Sequence, residues 1–264
     1  MKLLMITILL ASVLFSNDFS TRYDVNVGIF GKVGYADISL ETQDDTYIMR
    51  MNAKTTGTAA KLTGNREETY ISQGHIKEGK YIPDTFTKIK TTSRISREQV
   101  YHFNHIQKKI KLIQKNSEWV TRTSFDAMAF KLLKKEVQEH STQESSLSEF
   151  VPQDVLSSYL NVLNSCNKQN KEHNLVAIGA HNDEKDINIS FLAGEQRQEV
   201  LALFSQDIGN IYNLNVTPLD KEEKVVDVLV ALDNDGLMKE AILGDVFWIG
   251  KVKAQRVYTQ VGRR

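Results

Sequence analysis

Along most of the chain apolar and polar side chains alternate, the pattern of strands whose two faces meet different surroundings. Tyr23, Val25, Val27 and Ile29 share one face, and Arg22, Asp24, Asn26 and Gly28 the other. Phe30-Gly31-Lys32 predicts a turn, after which Ala36, Ile38 and Leu40 resume a strand. Gln43-Asp44-Asp45 predicts a second turn; Tyr47, Met49, Met51 and Ala53 then alternate with Ile48, Arg50, Asn52 and Lys54. Three strands joined by short turns predict an antiparallel meander. Residues 55–63 are small and Thr-rich, without a clear period. Strand patterns follow at 68–76, 85–92, 99–104, 108–114 and 117–124, with a Lys77-Glu78-Gly79-Lys80 turn and Pro83 punctuating the chain.

Residues 127–137 fit a strand or a short helix, and the polar, Ser-rich stretch 139–150 predicts a loop. One helix is expected over 152–166. Val155, Leu156, Tyr159, Leu160, Val162 and Leu163 fall at helical spacing. Pro152 suits the first turn by its fixed φ, and Asp154 suits it by its charge. Strand patterns return at 174–180, 186–192, 197–204, 211–217, 225–232, 237–243 and 246–257, with a hairpin turn at Asn234-Asp235-Gly236. The fold class expected is mainly β (α+β): a large curved antiparallel sheet or half-barrel, with one main helix packed on or lidding its concave face. Residues 17–264 are expected to form a single domain.

The first residues depart from this pattern. Lys2 precedes Leu3–Phe15, 13 apolar or small residues ending beside Ser16. A spanning helix needs about 20, so residues 1–16 read as a cleavable signal and the domain as exported to the periplasm. The remaining stretches are too short or too polar to span a membrane as helices. Cys166 is the single cysteine, which excludes an internal disulfide and points to a small buried side chain. Basic and acidic residues number 33 each, so no overall field draws the chain to nucleic acid.

Candidate chemistry is sparse. Asp233, Asp235 and Gly236 echo a calcium loop, but Ala231 and Ile242 stand where carboxylates are required. His102 and His105 are three apart in a strand pattern, which puts them on opposite faces, and no further ligands accompany them; no metal site is expected. No Gly-x-Ser-x-Gly elbow, phosphate loop or Gly-rich dinucleotide turn is present. No catalytic residue and no cofactor are assigned, and a cell-wall or lipid hydrolase is the least supported function. Asn188-Ile189-Ser190 and Asn215-Val216-Thr217 match the glycosylation acceptor, both inside predicted strands, and are expected to be unmodified. Lys108, Lys109 and Lys111 form a basic hairpin face, read as a solvated edge guard or an interaction face.

Several short motifs carry a resemblance. Tyr23–Gly34 with Val25 and Val27, Tyr70-Ile71-Ser72-Gln73-Gly74, Tyr81-Ile82-Pro83, and Asp233–Gly236 followed by Phe247-Trp248-Ile249-Gly250 resemble a family of bacterial periplasmic proteins. It is the domain-of-unknown-function family numbered 3108. The resemblance implies a fold like that of the half-barrel carriers that move lipoproteins across the periplasm, and it brings no catalytic residues. On that basis the expected function is non-catalytic binding or carriage of an apolar ligand, such as an acyl chain, on the concave sheet. Tyr47, Met49, Met51, Leu156, Tyr159, Phe247 and Trp248 are its candidate lining. A lipid or lipoprotein is then the expected partner. The alternative is a cell-envelope structural or protein-interaction module without a small ligand.

Overall fold

Strands that alternate over nearly the whole chain leave one face of a large sheet in need of cover, and a single helix provides much of it. The computed structural model describes residues 18–126, 128, 130–166, 172–179, 186–205, 208–216, 226–233, 237–243 and 251–261. Eight strands come first: β1 (Phe19–Val27), β2 (Gly31–Gln43), β3 (Thr46–Thr55), β4 (Glu67–Lys77), β5 (Lys80–Thr91), β6 (Ile95–Asn104), β7 (Lys109–Asp126) and β8 (Lys131–Ser146). Six follow: β9 (Glu172–Val176), β10 (Asp186–Leu192), β11 (Ile211–Val216), β12 (Val226–Leu232), β13 (Met238–Leu243) and β14 (Val252–Val261). The helices are α1 (Gly57–Thr63), α2 (Val155–Cys166) and α3 (Gly194–Leu201).

Among the described residues, all fourteen strands belong to one antiparallel sheet ordered β8-β7-β6-β5-β4-β3-β2-β1-β14-β13-β12-β11-β10-β9. Each half is a meander, and the halves are joined by pairing β1 with β14 from Phe19↔Val261 to Val27↔Val252. The sheet curves around α2. Leu156 and Leu160 of that helix pack with Phe19, Leu40, Met49, Phe86, Tyr101 and Ile110 from the first half. Val162, less than two turns further on, packs with Ile189, Tyr212, Val230 and Leu232 from the second. One short helix reaches both halves because the sheet bends toward it, as large twisted sheets do. Helix α3 covers the opposite face of the second half, where Val200 and Leu201 meet Ile211, Ala231 and Ile242. That explains why Val228–Leu232 is apolar on both faces.

The helix is enclosed to a greater degree than an amphipathic lid. Ser157 and Ser158 are buried beside Leu156, Leu160 and Val162. Its start is held by Asp154, whose Oδ1 accepts the backbone N–H groups of Leu156 (2.8 Å) and Ser157 (3.0 Å). The Ser157 hydroxyl in turn accepts the Asp154 N–H at 3.0 Å, a reciprocal cap. Oδ2 accepts the Ser72 hydroxyl of β4 at 2.7 Å, and Ser72 bonds the Tyr47 hydroxyl of β3 at 2.9 Å. Asn161 completes the attachment by accepting the Tyr81 N–H (2.8 Å) and donating to the Tyr81 carbonyl (2.9 Å).

Five expectations need correction. The expected loop over 139–150 is confined to residues 147–150: β8 runs through Ser146, pairing with β7 from Lys111↔Ser146 to Asp126↔Lys131. Backbone bonds hold that ribbon, so it needs no apolar face. Strands 108–114 and 117–124 merge into β7, which lies one place in from the edge rather than at it. Residues 197–204 hold the end of α3; Gln, Glu and Leu favour helix there, and Val200, Leu201 and Phe204 share a helical face. Pro83 lies inside β5, opposite Gly74, where the β4–β5 register slips and a missing N–H costs least. Pro152 precedes the cap instead of entering the first turn. The stretch 55–63 contains α1. The Lys77–Lys80 turn has positive φ at Glu78 (53°) and Gly79 (74°), as a tight hairpin requires. Residues 1–16, Asn234-Asp235-Gly236 and the side chain of Cys166 lie outside the described residues.

Asp154 is fully buried, and burial pushes its carboxyl up to about 6 against the hydrogen bonds that favour the charged form. The folded state therefore binds this proton more tightly than the unfolded chain, where the group titrates near pH 3.9. Stability from this group rises as pH falls from about 6 to about 4, by roughly 3 kcal/mol at most. Chemical denaturation across this range is expected to show that slope, and Asp154→Asn, which keeps the capping oxygen, to flatten it. Asp154→Ala orphans two buried N–H groups and is expected to cost about 2 kcal/mol at neutral pH.

Candidate functional site

The inner face of the first half changes character along its strands. In β5 the inward residues run Phe86, Lys88, Lys90; in β6 they run Tyr101, Gln99, Arg97, Ile95; in β7 they run Ile110, Leu112, Gln114, Asn116, Glu118. The members nearest α2 are buried: Phe86, Tyr101 and Ile110 are all 0% exposed, and Leu112 joins them in the core. The others pass beyond the helix start and line an open groove of about 810 Å³. Met51, Glu68 and Tyr70 extend it onto β3 and β4, Ser141 onto β8, and Val155 and Gly179 close its helix end.

Alternation thus continues while the inward side turns polar, which is why the groove stays open. A fully apolar inward row would have collapsed onto the helix. Gly179, at φ 94°, lies so close to Phe86 that a Cβ there would sit 2.3 Å from the ring. The segment after β9 is pressed onto the apolar part of the face, and the groove begins where that contact ends.

Charge in the groove is unevenly matched. Arg66 bonds Glu68 through Nε at 2.7 Å, and the Tyr70 hydroxyl donates to Glu68 at 2.9 Å. Burial would raise the Glu68 carboxyl, yet these bonds hold it below its ordinary range. Burial first, and then Glu68, push the Tyr70 hydroxyl upward, so it stays protonated and donates. Lys88 stands over the Tyr70 ring, 5.8 Å from its centroid. Among the described residues, Lys88, Lys90 and Arg97 have no carboxylate within ion-pair distance. The groove is therefore a cationic wall beside an apolar strip of Met51, Tyr70, Ile95 and Val155.

The residues expected to line an apolar cavity are divided by this geometry. Tyr47, Met49 and Leu156 are buried in the central core, where the Tyr47 and Tyr81 rings meet edge-on at 5.1 Å. Tyr159 is half-buried, and its hydroxyl lies 3.5 Å from the Met238 N–H. Met51 reaches the groove, while Phe247 and Trp248 lie outside the described residues. Lys108 occupies a turn at φ 49°. Lys109 and Lys111 are exposed on β7 beside a shallower depression of about 540 Å³ that includes His102 and Asn104. Lys111 is engaged by Glu144 of β8 at 2.7 Å. His105 stacks on Phe103 and donates from Nε2 to the Pro83 carbonyl at 2.7 Å. Asn188 and Asn215 are directly opposed partners in β10 and β11. No helix among the described residues is long and apolar enough to cross a membrane.

The cations of the groove were not singled out from the sequence. Their signal was present in Phe86-Thr87-Lys88-Ile89-Lys90, where Phe86 fixes the inward phase and places both lysines inside.

No protein-family model and no curated protein matches the chain. Among solved structures it is similar to a β-barrel-like protein of the domain of unknown function DUF1849 from Brucella abortus. That match has a TM-score of 0.44 and 9% identity, covering 94% of this chain and 98% of the other. These comparisons do not confirm the resemblance to the family numbered 3108.

Core and groove are expected to separate in mutation. Phe86→Ala empties a fully enclosed ring site and should cost about 3–5 kcal/mol. Lys88→Ala, two residues along the same face, should change stability by no more than about 0.5 kcal/mol. Thermal unfolding of the two variants checks the boundary.

Proposed function

We propose that the chain is an exported, non-catalytic binding protein whose groove holds an anionic amphiphile, with the acidic group at Lys88, Lys90 and Arg97 and hydrocarbon along Met51, Tyr70 and Ile95. The observation that carries this reading is the unmatched positive charge beside an apolar strip in one groove of about 810 Å³. Cations left without partners on a half-buried surface gain most from a ligand that brings the opposite charge. A volume of this order suits a ligand of acyl-chain size. The signal-like residues 1–16 support export to the periplasm, and the carrier-like fold implied by the family numbered 3108 is in keeping with a lipid cargo. This reading moves the ligand from the helix-covered core to the open end of the same sheet face.

Titration of the purified protein with a fluorescent long-chain fatty acid, together with mass spectrometry of co-purifying lipids, tests it. Saturable one-site binding is expected, weakened about a hundredfold in Lys88→Glu/Arg97→Glu if each reversed charge removes about 1–1.5 kcal/mol, with the unfolding temperature unchanged. Absence of saturable binding, or equal binding by the double variant, would overturn it.

A further inference from the structure

The hairpin β7–β8 outgrows the sheet. β6 pairs with β7 only as far as Glu118, opposite Ile95. Beyond that point Trp119–Asp126 pairs with Lys131–Gln138 alone, eight residue pairs with no third strand. At the usual rise this ribbon extends about 26 Å from the sheet. Isolated two-stranded ribbons are marginal in water. The base of this one is clamped by Arg94, which donates to Glu136 at 3.0 Å and to the Trp119 carbonyl at 2.9 Å.

Its far end is apolar. Phe125 faces Leu132 across the strands, and the Phe125 and Phe130 rings meet edge-on at 5.4 Å. Met128, Phe130 and Leu132 are 100%, 84% and 66% exposed, and Leu133 adds an exposed side chain on the opposite face. Exposed apolar residues concentrated on one projection mark a contact surface. The rungs behind them are basic: Thr123 faces Lys134, and Arg122 faces Lys135. Lys134 and Lys135 have no carboxylate within ion-pair distance among the described residues, whereas Arg122 is held by Glu139. In the sequence from Trp119 to Lys135, Asp126 is the one acidic residue against four basic ones.

We propose that this tip inserts into the surface of an anionic lipid bilayer, with Phe125, Met128, Phe130 and Leu132 among the upper acyl chains and Lys131, Lys134 and Lys135 at the phosphates. The order of the residues favours that occupant. Lys131 sits one rung beyond the Phe125–Leu132 pair, whereas Lys134 and Lys135 follow two and three rungs behind it; most of the positive charge thus stands behind the apolar side chains, matching the order of hydrocarbon and headgroup met on leaving a bilayer. Lysine stems can lie along the apolar tip while their ammonium groups reach the headgroups.

Sedimentation of the purified protein with vesicles tests the proposal. Binding is expected to vesicles containing about one third phosphatidylglycerol, to be much weaker with pure phosphatidylcholine, and to fall as salt is raised. Lys131→Glu/Lys134→Glu/Lys135→Glu should weaken binding at least a hundredfold. Met128→Ser/Phe130→Ser should weaken it about tenfold or more. Both sets of changes lie on exposed positions, so an unchanged unfolding temperature confirms folding. Failure of the unaltered protein to bind, or equal binding by both variants, would overturn the proposal. So would self-association in analytical ultracentrifugation that Met128→Ser/Phe130→Ser abolishes, since a second copy would then be the occupant. Vesicle binding lost in Lys88→Glu/Arg97→Glu with the tip intact would place the lipid contact in the groove and also count against it. Retained vesicle binding in that groove variant supports the tip and leaves the amphiphile reading to its own titration.

Discussion

A carboxylate in the middle of a hydrophobic core has to be surrounded by donors, and in this protein that requirement joins the helix to the sheet. Asp154 accepts two N–H groups at the start of α2 and the hydroxyl of Ser72, which is bonded to Tyr47. Helix start, β4 and β3 are thereby fixed to one another within hydrogen-bonding tolerance. Apolar packing alone would let a twelve-residue helix slide or rotate on a curved sheet. The buried charge is costly, and what it contributes is position. Because Val155 follows Asp154 directly and forms the helix end of the groove, the same hub decides where covered core gives way to open groove.

Much of the architecture was legible in the residues. Period-two alternation revealed the meander because each strand has one side on the core, and Glu78-Gly79 supplied the positive φ of its turn. Helix α2 was legible because its apolar residues recur at three and four. Asp154 was legible as a helix-start residue, but its burial was not: nothing local shows that Ser72, 82 residues earlier, will lie against it. Residues 139–146 were misread as loop because a ribbon solvated on both faces carries no alternation, and its strands are specified by pairing with β7. Residues 197–204 were misread because Val200, Ala202 and Phe204 satisfy a period of two, while Val200, Leu201 and Phe204 satisfy a helical period equally well.

The candidate site was harder to see for a different reason. Sequence reasoning looks for apolar residues on the inward side, so a row that begins with Phe86 and continues with Lys88 and Lys90 reads as a strand losing its pattern. In space it is one continuous inward row passing from beneath the helix to beyond it. The methionine and tyrosine positions chosen for ligand contact were inward as well, yet Tyr47 and Met49 lie on the covered side of the boundary.

The junction of the two halves bears on how such a chain is made. β1 finds a neighbour in β2 almost at once, but its other edge pairs with β14, and the Thr21 hydroxyl bonds the Tyr258 carbonyl 237 residues away. At typical elongation rates of 5–20 residues per second, that edge stays unpaired for roughly 12–50 s of synthesis. A chain delivered amino end first thus presents an open strand at the centre of its future sheet until the last strand arrives. Closure of the seam thus depends on the longest-range pairing in the sheet, whose loop-closure entropy is the largest that folding has to meet.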